Sequence, residues 1–272
     1  MKYVYICPDT MAGIFTGVYD AWASKVGHEN VELRVKEPDD LEFFCEYITV
    51  KEDMDKAEKV RRSIQRKLGE GVYHSICYAA CAYFPDRAQA IYHTLVDFFA
   101  KEGAASKRPL ASGWHPGGTG SNYFENLRNP HVKRLQEIYR RVSMESYRYI
   151  EILRFKELEN KVLFAVIEPE HNILQFLAPH FAERFPLERW LIYDKGRKRA
   201  LGHEPGKGCA LLDGADLPEH YQEYCADSQA DYERLWKDFC NHIAIKERVS
   251  WARQRQMIPI KYRKYMEEFD TK

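Results

Sequence analysis

The chain has 272 residues, 45% of them hydrophobic and 30% charged, and its 41 Lys and Arg are balanced by 41 Asp and Glu. With a mean hydropathy of −0.56 it reads as a soluble protein with ample apolar content for a sizeable core, in one large domain or two small ones. No window approaches the roughly 18 uncharged apolar residues of a membrane span, and Met1 to Asp9 turns polar too soon for a signal peptide, so a cytoplasmic location is expected.

Tyr3 to Cys7 reads as a short strand, and Asp9 or Thr10 is placed to cap the helix that follows. Met11, Ile14, Phe15, Val18 and Trp22 form the apolar stripe of that helix. Val31 to Lys36 and Tyr47 to Val50 are predicted strands. Lys51 to Leu68 is a predicted helix with Met54, Ala57, Val60, Ile64 and Leu68 inward, stopped by Gly69. Its other face carries Lys56, Lys59, Arg61, Arg62, Arg66 and Lys67, which read as a solvated face or as ligand contacts. Two more helices are expected near Val72 to Tyr83 and Arg87 to Lys101. Glu102 to Asn122 is rich in Gly, Ser and Pro and is expected to be a flexible insertion.

Asn129-Pro130 starts the next helix, a cap followed by proline in the first turn, with Val132, Leu135, Tyr139 and Val142 packed. Tyr149 to Phe155, a turn at Glu159-Asn160 and Val162 to Ile167 are predicted as a hairpin ended by Pro169. Ile173, Leu174, Leu177 and Phe181 mark a helix to Arg184. Trp190 to Asp194, a turn at Lys195-Gly196 and Lys198 to His203 form a second hairpin. Residues 149–203 thus give a β-β-α-β-β unit. The expected fold is α+β, helix-rich, with a small and mostly antiparallel sheet. Glu204 to Pro218 reads as a connection to terminal helices. One compact unit is expected over 1–272, with sub-regions 1–147, 148–215 and 216–272.

Motifs with a defined chemistry do not emerge. The seven cysteines are odd in number and irregularly spaced, with no Cys-x-x-Cys pair, so they read as small buried residues in a reducing compartment rather than a metal or disulfide set. There is no Walker loop, no GxGxxG after a strand, no HExxH and no GxSxG. No cofactor or metal site is therefore read. The densest polar cluster is Glu168-Pro-Glu-His171-Asn172, between the first hairpin and its helix, and it reads first as the start of that helix. His171 and His180 fall on opposite faces and cannot share a metal. Asp194 is placed to serve the turn that follows it.

The most distinctive feature is the end of the chain. Tyr232, Leu235, Trp236, Phe239 and Ile243 recur at helical spacing as one apolar face. Between Lys246 and Lys264 there are seven basic residues and one acidic residue, Glu247, a local charge of +6 in a chain that is otherwise balanced. Arg248, Arg253, Arg255, Lys261, Arg263 and Lys264 are suited to phosphates, and Trp251 and Tyr262 to stacking on unpaired bases. The same residues also fit a protein interface or a plain surface, with Ile258, Tyr262, Tyr265 and Phe269 as the inner face of a last helix after Pro259.

Several segments carry a resemblance. They are Phe15-Thr-Gly-Val-Tyr-Asp-Ala-Trp22, Phe155-Lys-Glu-Leu-Glu-Asn160, Ile167-Glu-Pro-Glu-His-Asn172, Leu177-Ala-Pro-His-Phe-Ala182, Trp190-Leu-Ile-Tyr-Asp194, Tyr232-Glu-Arg-Leu-Trp236, Asn241-His-Ile-Ala-Ile245 and Met257-Ile-Pro-Ile-Lys-Tyr262. In combination, along nearly the whole chain, they resemble a bacterial family of unknown function labelled "probable DNA metabolism protein". Its members are typically encoded beside a radical SAM protein of DNA modification or repair, and related domains occur fused to uracil-DNA-glycosylase-type domains. Where relatives tend to start with Tyr-Asp-Gly-Ser/Thr, this chain has Cys7-Pro-Asp9-Thr10. The resemblance implies an accessory protein of DNA repair or modification that binds DNA, single- or double-stranded, and partners a radical SAM protein. It supplies no reaction. An alternative is an enzyme acting on DNA or nucleotides through Asp9, Glu145, His171 and Asn172. Another is an interaction scaffold without nucleic-acid contact, which predicts an exposed apolar patch beside the tail.

Overall fold

The computed structural model describes residues 1–38, 40, 42–105, 126–214, 225, 229–243 and 250–269. Residues 106–122 of the expected insertion lie outside the described residues, as does Arg248. The described chain divides into two compact units, Met1–Met144 and Glu145–Lys272. Both are mixed, each with a small sheet and helices, so the fold is α+β. Among the described residues no helix is long and apolar enough to cross a membrane.

In the first unit, β1 (Lys2–Ile6) is the centre of a three-stranded sheet between β2 (Val31–Arg34) and β3 (Cys45–Thr49). Both pairings are parallel, with Tyr3 opposite Val31 and Lys2 opposite Cys45. Helix α1 (Met11–Ala23) follows β1, and Thr10 caps it by accepting from the N–H of Gly13 at 2.8 Å. Gly17 is required there because a Cβ would collide with Cys7 Sγ. Asp53 caps α2 (Met54–Leu68) through the N–H groups of Asp55 and Lys56, and Gly69 ends it at a φ of 89° that favours glycine. Ala57, Ile64 and Leu68 are buried as the periodicity expects. Met54 is exposed, because as the first residue of α2 it precedes the turns that pack. Helices α3 (Glu70–Ala80) and α4 (Arg87–Ala105) complete the unit, and Ile76, Ile91, Tyr92 and Leu95 join Val4, Ile14, Phe15 and Leu33 among its buried residues.

The boundary between the units falls within α5 (Pro130–Ile152). Asn129 caps this helix, its Oδ1 accepting from the N–H of His131 at 2.8 Å and of Val132 at 3.2 Å. Tyr149 to Ile152, expected in a strand, are helical. Val132, Leu135, Ile138, Val142, Glu145, Tyr149 and Ile152 are all buried, and their spacing continues one helical face without a break. That period outweighs the strand preference of the local Tyr and Ile residues.

The expected strand Tyr149 to Phe155 does not form; the short β4 (Lys156–Glu157) just after it pairs antiparallel with β5 (Leu163–Ile167). Helix α6 (Leu174–Arg184) crosses over to β6 (Trp190–Asp194), and the crossover makes β5 and β6 parallel. The second hairpin is formed by β6 and β7 (Arg199–Glu204), with Trp190 opposite His203. Part of the expected connection is instead β8 (Gly208–Asp213), an edge strand paired to β7. Every residue of β8 is exposed, so burial imposes no alternation that the sequence could display. The resulting sheet has the order β4-β5-β6-β7-β8 and is antiparallel except at β5–β6. Phe164, Val166, Tyr193 and Ala200 form a core cluster in this unit, with Leu158, Leu191 and Tyr265 packed on it.

Two terminal expectations change. Helix α7 (Gln229–Ile243) forms, but its apolar stripe faces out: Leu235 is 60% exposed and Phe239 52%. Instead of one helix after Pro259 there is α8 (Trp251–Met257), followed by 3-10 turns over Ile260–Tyr265 and Glu267–Phe269. Pro259, which lacks an N–H, separates α8 from the turns that follow.

Candidate functional site

The second unit gathers its polar groups around the loop 168–172. Glu145 is 5% exposed, and its carboxylate accepts from the N–H of Glu170 at 3.0 Å and of His171 at 2.8 Å. One oxygen serves each donor, so the buried charge is spent on fixing the loop backbone. Arg197 holds the same loop from the β6–β7 turn, donating to the carbonyls of Pro169 at 3.0 Å and Glu170 at 2.6 Å. Asp194 is fully buried and fixes Arg197 in turn, accepting from its backbone N–H and its guanidinium, both at 3.1 Å. The turn role expected of Asp194 is thus observed, with a second role as anchor for the arginine. Burial raises the Asp194 carboxyl above its usual range, against the pull of Arg197. Burial lowers the His171 imidazole below its ordinary value, with Glu145 and Glu170 opposing. Beside it, Asn172 Oδ1 is buried and accepts no hydrogen bond among the described residues.

The last turns of the chain dock on this loop. Lys264 pairs with Glu168, which also accepts from the Tyr265 hydroxyl at 3.3 Å, and Lys261 pairs with Glu170 at 3.3 Å. The Lys264 ammonium holds the Glu168 carboxyl below its usual value. Tyr262 meets Tyr149 edge-on at 5.4 Å between ring centres, and Arg148 lies over its ring. Arg263 donates to the carbonyl of Ile258 and covers Phe269. Half of the expected phosphate contacts are therefore already engaged within the chain.

Arg253 and Arg255 are open. Trp251 is 68% exposed, and Arg253 and Arg255 are exposed on the same short helix, with no carboxylate partner among the described residues. Ser250 caps that helix at the N–H of Arg253.

Of the four candidate catalytic residues, the structure joins Glu145 to His171 and sets Asn172 next to them. Asp9 belongs to the first unit, where it pairs with Arg87. Arg87 is buried and also donates to the carbonyls of Ala80 and Phe84. Sequence reasoning did not single out Arg197, Glu168 or Glu170 as partners of these groups. The acidic pair flanking Pro169 and the basic pair Lys261 and Lys264 are each visible in the sequence, but nothing in it says that they meet.

A family model for a domain of unknown function, DUF4130, matches residues 85–268, more than half of the chain. The chain belongs to the DUF4130 family. The DUF4130 match covers the Glu145 latch, the loop 168–172 and the terminal basic-aromatic segment, and leaves out β1 to α3 with Asp9. No curated protein and no solved structure matches the chain.

Proposed function

We propose that the chain is a cytoplasmic accessory protein of DNA repair or modification that contacts nucleic acid through Trp251, Arg253 and Arg255 and docks a radical SAM protein through α7. The observation that carries the nucleic-acid part is the exposed pair Arg253 and Arg255 beside an exposed indole, with no carboxylate to neutralise them among the described residues. Arginine forks fit phosphate, and indole stacks on bases of any sequence. Lys261 and Lys264 contribute less, because their ammonium groups already sit on Glu170 and Glu168. The resemblance of the terminal motifs to the DNA-metabolism family supplies the biological setting.

The docking part rests on Tyr232, Leu235, Phe239 and Ile243, which leave a contiguous apolar face in solvent. That face equally supports the scaffold reading, in which the partner is protein alone. Fluorescence anisotropy with single- and double-stranded DNA, at about 50 and about 200 mM salt, separates the two. The double variant R253E/R255E is expected to lower affinity at least about tenfold and to reduce the salt slope by about two. Unchanged affinity and slope would remove the nucleic-acid contact and leave the scaffold.

A further inference from the structure

A second feature of the molecule lies in the first unit and is independent of the terminal segment. Helices α1, α2 and α4 enclose a groove of about 610 Å³. Its apolar lining includes Tyr19 and Trp22 from α1 and Phe99 from α4. Its rim carries Lys25, Lys59, Arg66 and Lys67, and no acidic residue lines it among the described residues. The Trp22 and Phe99 rings meet edge-to-face at 5.4 Å, and the Lys59 ammonium stands 5.6 Å from the centre of the Tyr19 ring.

The charge is unbalanced for a specific reason. Asp20 is occupied by Lys56 at 2.7 Å, and Glu58 by Arg61 and Arg62. These contacts occupy Asp20 and Glu58, and among the described residues Lys25, Lys59 and Arg66 have no acidic partner. On α2, Lys59 and Arg66 are seven residues apart, two turns along one face and about 10 Å at the backbone, a span that two long side chains can close on one anion.

We infer that this groove binds a nucleoside phosphate, either free or as one residue of a single strand. The base lies against Tyr19 and Trp22, since the Phe99 ring already carries the Lys67 ammonium at 4.7 Å, and the phosphate lies between Lys59 and Arg66. An apolar, partly aromatic concavity with a few convergent cations is the form a planar anion requires. An uncharged ligand would leave the cations unused, and a simple anion would leave the aromatic wall unused.

The test is run on the full chain in the R253E/R255E background, so that the terminal segment cannot mimic the groove. Tryptophan fluorescence is titrated with ATP, with inorganic triphosphate and with a short oligothymidylate at about 50 mM salt. ATP or the oligonucleotide is expected to bind at least about tenfold more tightly than triphosphate, the increment that stacking supplies. K59E/R66E, which alters two exposed side chains, is expected to abolish that binding while the thermal unfolding profile stays unchanged. Trp22→Phe, which keeps an aromatic wall, is expected to retain most of the affinity, read by calorimetry. Preference for ATP identifies a free nucleotide as the ligand, and preference for the oligonucleotide identifies a single strand. Equal binding of ATP and triphosphate, indifference to K59E/R66E, or no binding of either nucleotide probe would overturn the assignment. The contact of Arg253 and Arg255 is measured separately in the K59E/R66E background, where the groove no longer binds, so the two assignments fail independently.

Discussion

Replacing Glu145 by alanine removes the acceptor that two backbone N–H groups share. In the folded chain the carboxylate is buried, and the N–H groups of Glu170 and His171 reach it at 3.0 and 2.8 Å. A hydrogen bond to a charged group contributes about 1.5–3 kcal/mol, and a buried donor left without a partner forfeits its desolvation energy. The two bonds set an upper range near 3–6 kcal/mol. Removing the charge also removes the cost of burying it, which offsets part of the loss. The expected net destabilisation is about 2–4 kcal/mol for Glu145→Ala and about half of that for Glu145→Gln, which keeps one acceptor oxygen. Urea unfolding followed by tryptophan fluorescence would show a lower midpoint at an unchanged slope. Amide exchange at Glu170 and His171 should quicken in both variants. A midpoint within about 0.5 kcal/mol of the parent, with unchanged exchange at these two amides, would refute the latch and return Glu145 to the pool of groups available for chemistry.

The terminal docking should depend on packing rather than charge. Met266 is buried, whereas the Lys264–Glu168 pair is about half exposed; Met266→Ala is expected to lose about 2–5 kcal/mol in urea unfolding and Lys264→Ala less than about 1, and equal losses would contradict this. His171 sets a pH dependence. Its folded-state pKa lies below the ordinary 6.5 because of burial, with Arg197 and Lys261 acting the same way and Glu145 and Glu170 opposing. The stability linked to it is complete above 6.5 and is lost as the pH falls from 6.5 toward the lower folded-state value. Urea midpoints should therefore fall between about pH 7.5 and about pH 5.5, and His171→Gln should flatten that fall; an equal fall in the variant would assign the dependence to other groups.

Local chemistry was legible in the residues themselves. Thr10 and Asn129 cap the helices that the sequence places after them, Gly69 ends α2, and Asp194 serves its turn, whereas Asp53, expected inside the helix from Lys51, is the cap of α2. Each of these depends on neighbours within a few positions. The loop 168–172 and the terminal basic-aromatic run were also legible as separate features. That they meet was not, because Lys264 and Glu168 are 96 residues apart and the sheet decides which ends of the chain come together.

Amphipathic spacing revealed that α7 has an apolar face, but a period carries no information on what covers that face, and Leu235 and Phe239 stand in solvent. It likewise could not set where α5 ends, since Tyr149 and Ile152 favour a strand in isolation and a helix once the buried face of α5 extends through them. The sequence alone thus determined the caps, turns, helix faces and local charge of this protein. Only the tertiary structure decided which carboxylates spend their charge on backbone and lysine, and which cations remain open, because pairing depends on distance in space and not along the chain.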